Sequence, residues 1–341
     1  MAENRASRTS PVRPYDVLFD MVIGKWISQA LGTVAFRTGL RRERDGAAIW
    51  PVKDVSEDGL YRLLRALASV GLFMESGDRR FKLTGMGQLL RSDHAESLAG
   101  FARFVAHDST WQPWGQLGYS VKTGMPAFAH VFNAPIFEHF SRNPEAAAVF
   151  DGAMTSISAR EARATSDAYD FKGVVTLMDV AGGHGRLLAT VLLRHKRMRG
   201  VLFDLPHVAS GAAATFARAG ITSRVRIESG DFFRELPSGA DAIIMKHILH
   251  DWDDDSAKRI LQACHRALGP RGKVLIVDPV VPPGNIPHYG KLLDLEMLVL
   301  TPRGRERTKA EFARLLHGAG FRLSRVIATE SPLSIVEAVK V

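Results

Sequence analysis

The second half of the chain alternates apolar runs of strand length with segments whose apolar residues recur at helical spacing. Short apolar runs between turn-forming residues are typical of buried strands. The pattern predicts seven strands: Val174 to Val180, Gly200 to Phe203, Arg224 to Glu228, Ala240 to Met245, Gly272 to Val277, Phe321 to Ala328 and Ser334 to Val339. Strands that alternate with helices form a mostly parallel sheet with helices on both faces, so the predicted fold class is α/β.

The first half of the chain has a mostly helical pattern. Apolar residues recur at helical spacing from Asp16 to Leu40, and a second such stripe follows Ser56, a typical N-cap residue, and ends at Gly71. The stretch from Leu72 to Leu83 then predicts two short strands around a Ser-Gly-Asp turn. Two helices followed by a hairpin are the pattern of a winged helix.

Chain length and proline positions set the expected domain organisation. A single hydrophobic core stops growing at roughly 250 to 300 residues, so 341 residues predict two domains. Residues 95–168 are mostly helical in pattern, and Pro113, Pro126 and Pro135 divide them into short pieces. We therefore expect a helical, winged-helix-like domain at 1–110 and an α/β domain at 111–341, in which 111–170 is a helical linker.

Composition narrows the functional class. The sequence is 46% hydrophobic and 24% charged, as in ordinary globular proteins, and no apolar run reaches the roughly 18 residues that span a membrane. The segment from Met1 to Arg13 lacks the apolar stretch of a secretory signal, so we expect a cytoplasmic protein. The net charge of +9 comes from scattered residues, which disfavours nucleic acid as the partner. Cys264, the single cysteine, has neighbours at helical spacing that predict its burial.

Acidic residues close three successive strands of the predicted sheet. The first is Asp179, in the run Asp-Val-Ala-Gly-Gly-His-Gly at 179–185, whose glycines allow a sharp turn close to a ligand. The glycine spacing does not fit G-x-G-x-x-G, which disfavours nicotinamide and flavin cofactors. The others are Asp204, where such folds bind a ribose diol, and Asp231, which precedes an adenine-stacking candidate, Phe232. Carboxyl ends of parallel strands meet at one edge, so the three acids predict a nucleoside ligand.

An apolar strand also leads to His250, which is followed by the acidic run Asp251 to Asp255. Histidine can serve as a general base, because its ordinary pKa lies near 6.5. We interpret Asp253 to Asp255 as the cap of the next helix. A divalent-metal site is the alternative for this run, but its ligands would all lie in one helical turn, so we expect no metal ion. His247 should face away from His250 and pack.

Several motifs of the chain are shared with one family. They are the N-terminal half, the glycine turn, Phe203 to Pro206, Gly230 to Phe233, Lys246 to Trp252, and Arg303 to Thr308. With these motifs the chain resembles the S-adenosylmethionine-dependent O-methyltransferases of the plant caffeate and flavonoid type. It is especially similar to the bacterial relatives that tailor polyketides, phenazines and similar aromatic natural products. The resemblance covers nearly the whole chain.

The resemblance implies a Rossmann-like class I methyltransferase sheet behind an N-terminal domain that forms an intertwined homodimer. It assigns the general base to His250 and the two supporting acids to Asp278 and Glu306. It places S-adenosylmethionine against Asp179, Gly182, Gly183, Gly185, Asp204, Asp231, Phe232 and Lys246. Two positions depart from the family pattern, since Ala181 replaces a glycine and Asp278 is shorter than the glutamate of plant relatives.

The expected reaction is methyl transfer to a phenolic hydroxyl, with S-adenosylhomocysteine as the second product. A phenol has a pKa near 10, so a positioned imidazole can take its proton while the oxygen attacks the sulfonium methyl, and no metal ion is required. We expect an aromatic-lined pocket for a flat aromatic secondary metabolite. Its predicted lining is Phe104, His107, Trp111, Trp114, Met154 and Met297.

Two other functions are alternatives at this point. The first is a divergent family member that carries out hydroxylation or decarboxylation, although such chemistry would not require His250 with its two acids. The second is a winged-helix regulator that uses the α/β domain as a ligand sensor. It would contact DNA through Arg62, Arg65, Arg79 and Arg80, and its binding would weaken steeply with salt.

Overall fold

The computed structural model describes residues 18, 24, 27–34, 56–76 and 79–341 of the chain. The chain folds into two compact units, Met1–His107 and Asp108–Val341. The helix predicted from Asp16 to Leu40 lies mostly outside the described residues, although residues 27–34 are helical. Within the part of the chain that is described, no helix is long and apolar enough to cross a membrane.

The first unit combines helices with one hairpin. Helix α1 (Glu57–Ser69) begins as predicted, since the Ser56 side chain accepts the N–H of Gly59 at 3.2 Å. The further elements are β1 (Phe73–Ser76), β2 (Arg80–Leu83), α2 (Gly85–Gln88) and α3 (Ala99–Ala106). Strands β1 and β2 pair antiparallel, as predicted. The core of this unit contains Val34, Leu67, Leu72, Phe73 and Leu90.

Five helices open the second unit. Pro126 and Pro135 divide them as predicted, whereas the prediction that Pro113 also divides the segment is wrong. The helices are α4 (Asp108–Gly115), α5 (Leu117–Thr123), α6 (Ala127–Phe132), α7 (Ile136–Arg142) and α8 (Pro144–Ala168). Pro126 and Pro135 occupy the N-caps of α6 and α7, whereas Pro113 lies inside α4. The last helix, α8, is 25 residues long and contributes a buried carboxylate to the site described below.

A seven-stranded mixed sheet forms the centre of the second unit. The strands of this unit are β3 (Thr176–Val180), β4 (Arg199–Asp204), β5 (Val225–Ser229), β6 (Ala240–Lys246), β7 (Leu268–Asp278), β8 (Val280–Val281), β9 (Arg307–Thr308), β10 (Phe321–Ala328) and β11 (Ser334–Lys340). The sheet order is β5-β4-β3-β6-β7-β11-β10, and β8 pairs separately with β9. Only β11 pairs antiparallel with its two neighbours in this sheet. All seven predicted strands are confirmed.

Helices cover both faces of this sheet. The remaining helices of this unit are α9 (Arg186–Arg194), α10 (Pro206–Ala209), α11 (Ala212–Arg218), α12 (Asp254–Ala267), α13 (Tyr289–Leu300) and α14 (Lys309–Gly318), with 3-10 turns at Thr222–Arg224 and Leu249–Asp251. Successive strand residues point to opposite faces, and Leu177 and Met178 accordingly belong to different core clusters. The cluster of Met178 includes side chains of α12 and α14, among them Cys264, which is buried as predicted. The cluster of Leu177 includes side chains of α9 and α11.

Candidate active site

The glycine turn after β3 surrounds one buried carboxylate. Asp179 is buried, and its Oδ2 has no hydrogen-bond partner among the described residues. A Cβ at Gly182 would lie 2.7 Å from this oxygen and 2.5 Å from Cδ1 of Leu202. A Cβ at Gly185 would lie 2.3 Å from the ring of Phe216. Both positions therefore need glycine for lack of space.

Asp204, at the end of β4, holds the same turn. Its Oδ2 accepts the N–H of Gly183 at 2.8 Å and its Oδ1 accepts the N–H of Leu205 at 2.7 Å. Burial raises the pKa of Asp204, although these two N–H donors oppose the rise. Gly183 has a φ of 59° and Ala181 one of 53°, both in the left-handed region. Ala181 thus adopts a backbone conformation that a glycine would adopt at lower cost.

The third acidic strand end carries Asp231, after β5. Its Oδ1 accepts the N–H of Phe233 at 2.8 Å. Phe232 packs edge-on against Phe233 and Trp252, with ring centroids 4.8 Å and 6.0 Å apart. Strands β5, β4 and β3 are parallel neighbours in the sheet. The three acids therefore lie side by side at the C-terminal ends of these strands, as the strand pattern predicts.

His250 lies in the 3-10 turn Leu249–Asp251, which follows β6. The residue is buried, and its Nδ1 lies 2.7 Å from Oε1 of Glu306. Glu306 is fixed in turn, because its N–H donates to Oδ1 of Asp294 at 2.8 Å. The backbone N–H of Arg305 also donates to the carbonyl oxygen of His250 at 2.7 Å. The structure therefore contains a buried imidazole–carboxylate pair whose two members are each held through their backbones.

Asp278, at the end of β7, does not bond to the ring of His250. Its Oδ1 accepts the backbone N–H of His247 at 2.9 Å. The carboxylate is fully buried and acts on His250 through its charge. The prediction that His247 faces away is wrong, since its ring centroid lies 5.0 Å from that of His250. Strand β6 ends at Lys246 and His247 has a φ of 57°, so the alternation of a strand no longer applies there.

Glu161 on α8 is a site residue that the sequence analysis missed. Its buried carboxylate accepts from Nζ of Lys246 at 2.8 Å, and its Oε1 lies 3.1 Å from Nε2 of His247. Burial raises the pKa of Glu161, but His247 and Lys246 outweigh this and hold it at about 2. Lys246 also lowers the pKa of Asp179, which burial raises to about 7. Lys246 thus lies between the glycine turn and the histidines.

Three carboxylates give this centre a high proton affinity. Burial lowers the pKa of His250, but the charges of Asp251, Glu306 and Asp278 outweigh it and raise the pKa to about 10. Asp251 was expected only as part of the acidic run, yet its Oδ1 lies 3.6 Å from Nε2 of His250. Burial raises the pKa of Asp251 to about 6 and also raises that of Glu306. The ordinary histidine value used in the sequence analysis is therefore too low for this site.

Arg307 holds the turn that carries the histidine. The residue is 1% exposed, and its guanidinium donates to the carbonyl oxygens of Leu249 at 2.7 Å and Trp252 at 2.8 Å. Its Nε also donates to Oδ1 of Asp254 at 2.9 Å. Asp254 is therefore an ion-pair partner as well as a first-turn acid of α12, whereas Asp253 caps that helix as expected. Sequence spacing alone did not indicate this role for Arg307.

The residues predicted to line the acceptor pocket are distributed over both units. They are Phe104 on α3, His107 at its C-cap, Trp111 and Trp114 on α4, Met154 on α8 and Met297 on α13. The indole of Trp114 donates to the carboxylate of Glu296, which precedes Met297. Burial raises the pKa of Glu296 to about 7. The structure thus brings Trp114 close to the Met297 segment and adds a half-buried carboxyl group that the sequence analysis did not identify.

A family model for the O-methyltransferase domain matches residues 114–322. The chain belongs to this family. It is an S-adenosylmethionine-dependent O-methyltransferase, and its sheet is that of the class I methyltransferase fold.

Three comparisons illustrate the family. The phenazine O-methyltransferase PhzM of Lysobacter antibioticus is 38% identical over 345 residues, which cover 99% of this chain and 99% of that protein. The crystal structure of CalO1, a methyltransferase in calicheamicin biosynthesis, in its S-adenosylhomocysteine-bound form has a TM-score of 0.83 at 33% identity, covering 98% of this chain and 100% of that one. The aclacinomycin 10-hydroxylase RdmB of Streptomyces purpurascens is 35% identical over 277 residues, which cover 80% of this chain and 74% of that protein.

Proposed function

We propose that this O-methyltransferase methylates a phenolic hydroxyl of a flat aromatic secondary metabolite, of the phenazine or polyketide kind, with His250 as the general base. The observation that carries the proposal is the buried pair of His250 and Glu306, whose nitrogen and oxygen lie 2.7 Å apart. The acceptor class is supported by the similarity to a phenazine O-methyltransferase.

The residues at the strand ends fit S-adenosylmethionine. When bound, this cofactor supplies a methyl group activated by a sulfonium. The unpartnered Oδ2 of Asp179 can accept from its cationic amino group, and the lack of a side chain at Gly182 keeps this oxygen from being crowded. Asp204 would accept from the ribose diol, and Phe232 would stack on the adenine. Gly183, Gly185, Asp231 and Lys246 would complete the cofactor site.

Glu306 sets the tautomer of His250 in this scheme. With its Nδ1–H donated to Glu306, the imidazole has its lone pair on Nε2, where it can take the phenol proton. The charges of Asp251, Glu306 and Asp278 raise the pKa of His250 above the ordinary value of a histidine, which favours transfer of the phenol proton to its ring. The imidazolium that forms faces the charges of Glu306, Asp251 and Asp278. The base must start neutral, and a nearby sulfonium charge favours the neutral form.

The first test is mass spectrometry of phenolic and hydroxylated fused-ring aromatics after incubation with the protein, S-adenosylmethionine and a metal chelator. We expect a product heavier by one CH2 together with one S-adenosylhomocysteine for each methyl group transferred. A product that carries an added oxygen or lacks CO2 would instead favour a hydroxylase or decarboxylase, the first of which is the activity named for RdmB.

The base role is tested by His250→Ala. We expect turnover to fall by about 10²- to 10⁴-fold, the usual contribution of a general base, while S-adenosylmethionine binding by calorimetry stays nearly unchanged. The matched control is His317→Gln, because His317 is an exposed residue of α14. Turnover that survives His250→Ala would show that another group removes the proton.

We further propose a homodimer formed through the N-terminal domain, residues 1–110, with catalysis in the domain at 111–341. The family resemblance supports this assembly, as do the exposed apolar side chains Met74, Met86 and Leu98 of the first unit, which are 57%, 55% and 42% exposed. Light scattering after size exclusion should give about twice the chain mass of 37.5 kDa. A single-chain mass at micromolar concentration would contradict the proposal.

A further inference from the structure

Two side chains, His247 and Asp278, lie close to the proposed base, His250. His247, His250 and Asp278 each offer one possible metal-ligand atom, and these atoms lie within 4.8 Å of one another. His247 is 13% exposed in its side chain, and the other two residues are buried. The proposed methyl transfer gives His247 no task, so its placement beside His250 calls for another explanation.

In each of the three residues one side-chain atom already lies within hydrogen-bond distance of another group. Nε2 of His247 lies 3.1 Å from Oε1 of Glu161, and Nδ1 of His250 lies 2.7 Å from Oε1 of Glu306. Oδ1 of Asp278 accepts the backbone N–H of His247 at 2.9 Å. The atoms left over are Nδ1 of His247, Nε2 of His250 and Oδ2 of Asp278.

Two of these remaining atoms are buried polar atoms without a partner. Nδ1 of His247 and Oδ2 of Asp278 make no hydrogen bond within the described ranges of the chain. A buried polar atom that forms no bond costs free energy, and most such atoms in proteins have a partner. The left-handed φ of 57° at His247 adds local backbone strain, which is found most often at functional sites. Both features point to a ligand that uses these atoms.

The arrangement matches the chemistry of metal-binding histidines. Such a histidine donates its other ring N–H to a carboxylate, which fixes the ring and raises its basicity. Glu161 and Glu306 supply that carboxylate to the two histidines. Two imidazole nitrogens and one carboxylate oxygen suit Zn²⁺ and similar transition metals, whereas Mg²⁺ and Ca²⁺ prefer oxygen ligands. Tetrahedral zinc ligands lie about 3.4 Å apart, so the three groups would close by roughly 1 Å around an ion.

We propose that His247, His250 and Asp278 bind one divalent transition-metal ion such as Zn²⁺, with a fourth coordination position left open. The ammonium of Lys246 is already paired with Glu161 at 2.8 Å, so its positive charge does not prevent a cation from binding nearby. The ion binds the nitrogen of His250 that the proposed function uses as its base, so metal binding and methyl transfer exclude each other. This inhibitory effect rests on the proposed function, whereas the site itself does not.

The test uses Co²⁺ alone, titrated into tag-free protein that was purified with a chelator and contains no cofactor or acceptor. Tetrahedral Co²⁺ has intense visible absorption, which reports its coordination directly. We expect saturation at one Co²⁺ per chain and displacement by Zn²⁺. The absence of stoichiometric Co²⁺ binding by the wild-type protein would overturn the inference.

Two variants and one control identify the ligands. His247→Ala removes one ligand and should abolish the visible band. Glu161→Gln keeps the side-chain shape but removes the charge that orients His247, and it should weaken Co²⁺ binding by about 10- to 100-fold. The control, His317→Gln, alters an exposed histidine and should bind as the wild type does. Circular dichroism checks folding, and if His247→Ala does not fold, Glu161→Gln decides alone. Unchanged binding in Glu161→Gln would overturn the site.

Methyl transfer is measured separately, with excess chelator. Turnover under chelation without Co²⁺ binding overturns only this inference. Co²⁺ binding without turnover of any phenolic acceptor overturns only the proposed function. If the protein both binds Co²⁺ and transfers methyl groups, Zn²⁺ added in a second assay without chelator should inhibit methyl transfer at the concentration that fills the site. Full activity of the zinc-loaded protein would contradict the mutual exclusion of metal binding and methyl transfer.

Discussion

Replacement of Glu306 by glutamine removes a negative charge next to His250 and nearly preserves the shape of the side chain. The wild-type carboxylate lies 2.7 Å from Nδ1 of His250, and an amide oxygen can accept the hydrogen bond that the proposed tautomer donates there. The tautomer is thereby kept while the charge is lost. The variant therefore isolates the electrostatic contribution of Glu306 to the imidazolium that forms during proton transfer.

The size of this contribution follows from the distance between the two groups. Two unit charges about 4 Å apart interact by about 4 kcal/mol at an effective dielectric constant near 20. Asp251 and Asp278 continue to stabilise the imidazolium, so part of the loss is compensated. A barrier increase of about 3 to 4 kcal/mol corresponds to a decrease in kcat of about 10²- to 10³-fold.

Glu306→Gln should lower kcat at saturating acceptor by that factor, with the KM of the acceptor and the calorimetric Kd of S-adenosylmethionine changed little. Glu330→Gln, which alters an exposed glutamate, is the matched control. A folded Glu306→Gln protein whose kcat stays within about threefold of the wild type would refute the electrostatic role.

Three further predictions test other parts of the site. Gly182→Ala places a methyl group 2.5 Å from a core leucine, so calorimetry should show weaker cofactor binding and a stability loss of about 1 to 3 kcal/mol. The control Gly118→Ala, in a helix and with nothing within 4 Å, should bind the cofactor as the wild type does and lose no stability. Arg307→Met leaves two backbone carbonyls without their donor, and urea unfolding should show a decrease of about 3 kcal/mol or more in the free energy of unfolding. A decrease below about 1 kcal/mol would contradict the role of Arg307 in holding the turn that carries His250. Because burial raises the pKa of Asp179 to about 7, the cofactor-free fold holds a proton there and loses stability as pH rises from about 4 to 7. The cationic cofactor binds the ionised carboxylate, so the cofactor should raise Tm more near pH 8 than near pH 6, and Asp179→Asn should remove this difference. An equal rise in Tm at both pH values in the wild type would argue against the contact between Asp179 and the cofactor.

The central strands could be predicted because a strand buried on both faces is a nearly continuous apolar run, as in β6. The predicted bounds of β10 agree with the structure, whereas β7 starts at Leu268, four positions before the predicted Gly272. Those extra positions include Pro270 and Arg271, whose pattern is that of a turn. The helix cap at Ser56 was equally predictable, because an N-cap is a local interaction.

The inward-facing charges could not be predicted in the same way. Glu161 lies between arginines in a helix, a pattern typical of exposed residues, and its partner Lys246 is 85 positions away in the chain. Arg307 is buried only because backbone carbonyls more than 50 positions earlier accept from it. The orientation of His247 depends on where β6 ends, and a strand pattern cannot fix that boundary to one residue.

The N–H groups of Gly183 and Leu205 donate to the carboxylate of Asp204 within the chain itself. A carboxylate has about four lone-pair sites, so roughly two remain for a ribose diol, and the diol can bind without breaking the turn. If Asp204 binds the cofactor as proposed, the turn would keep these two hydrogen bonds when product leaves, and it would not have to be ordered again for each fresh cofactor.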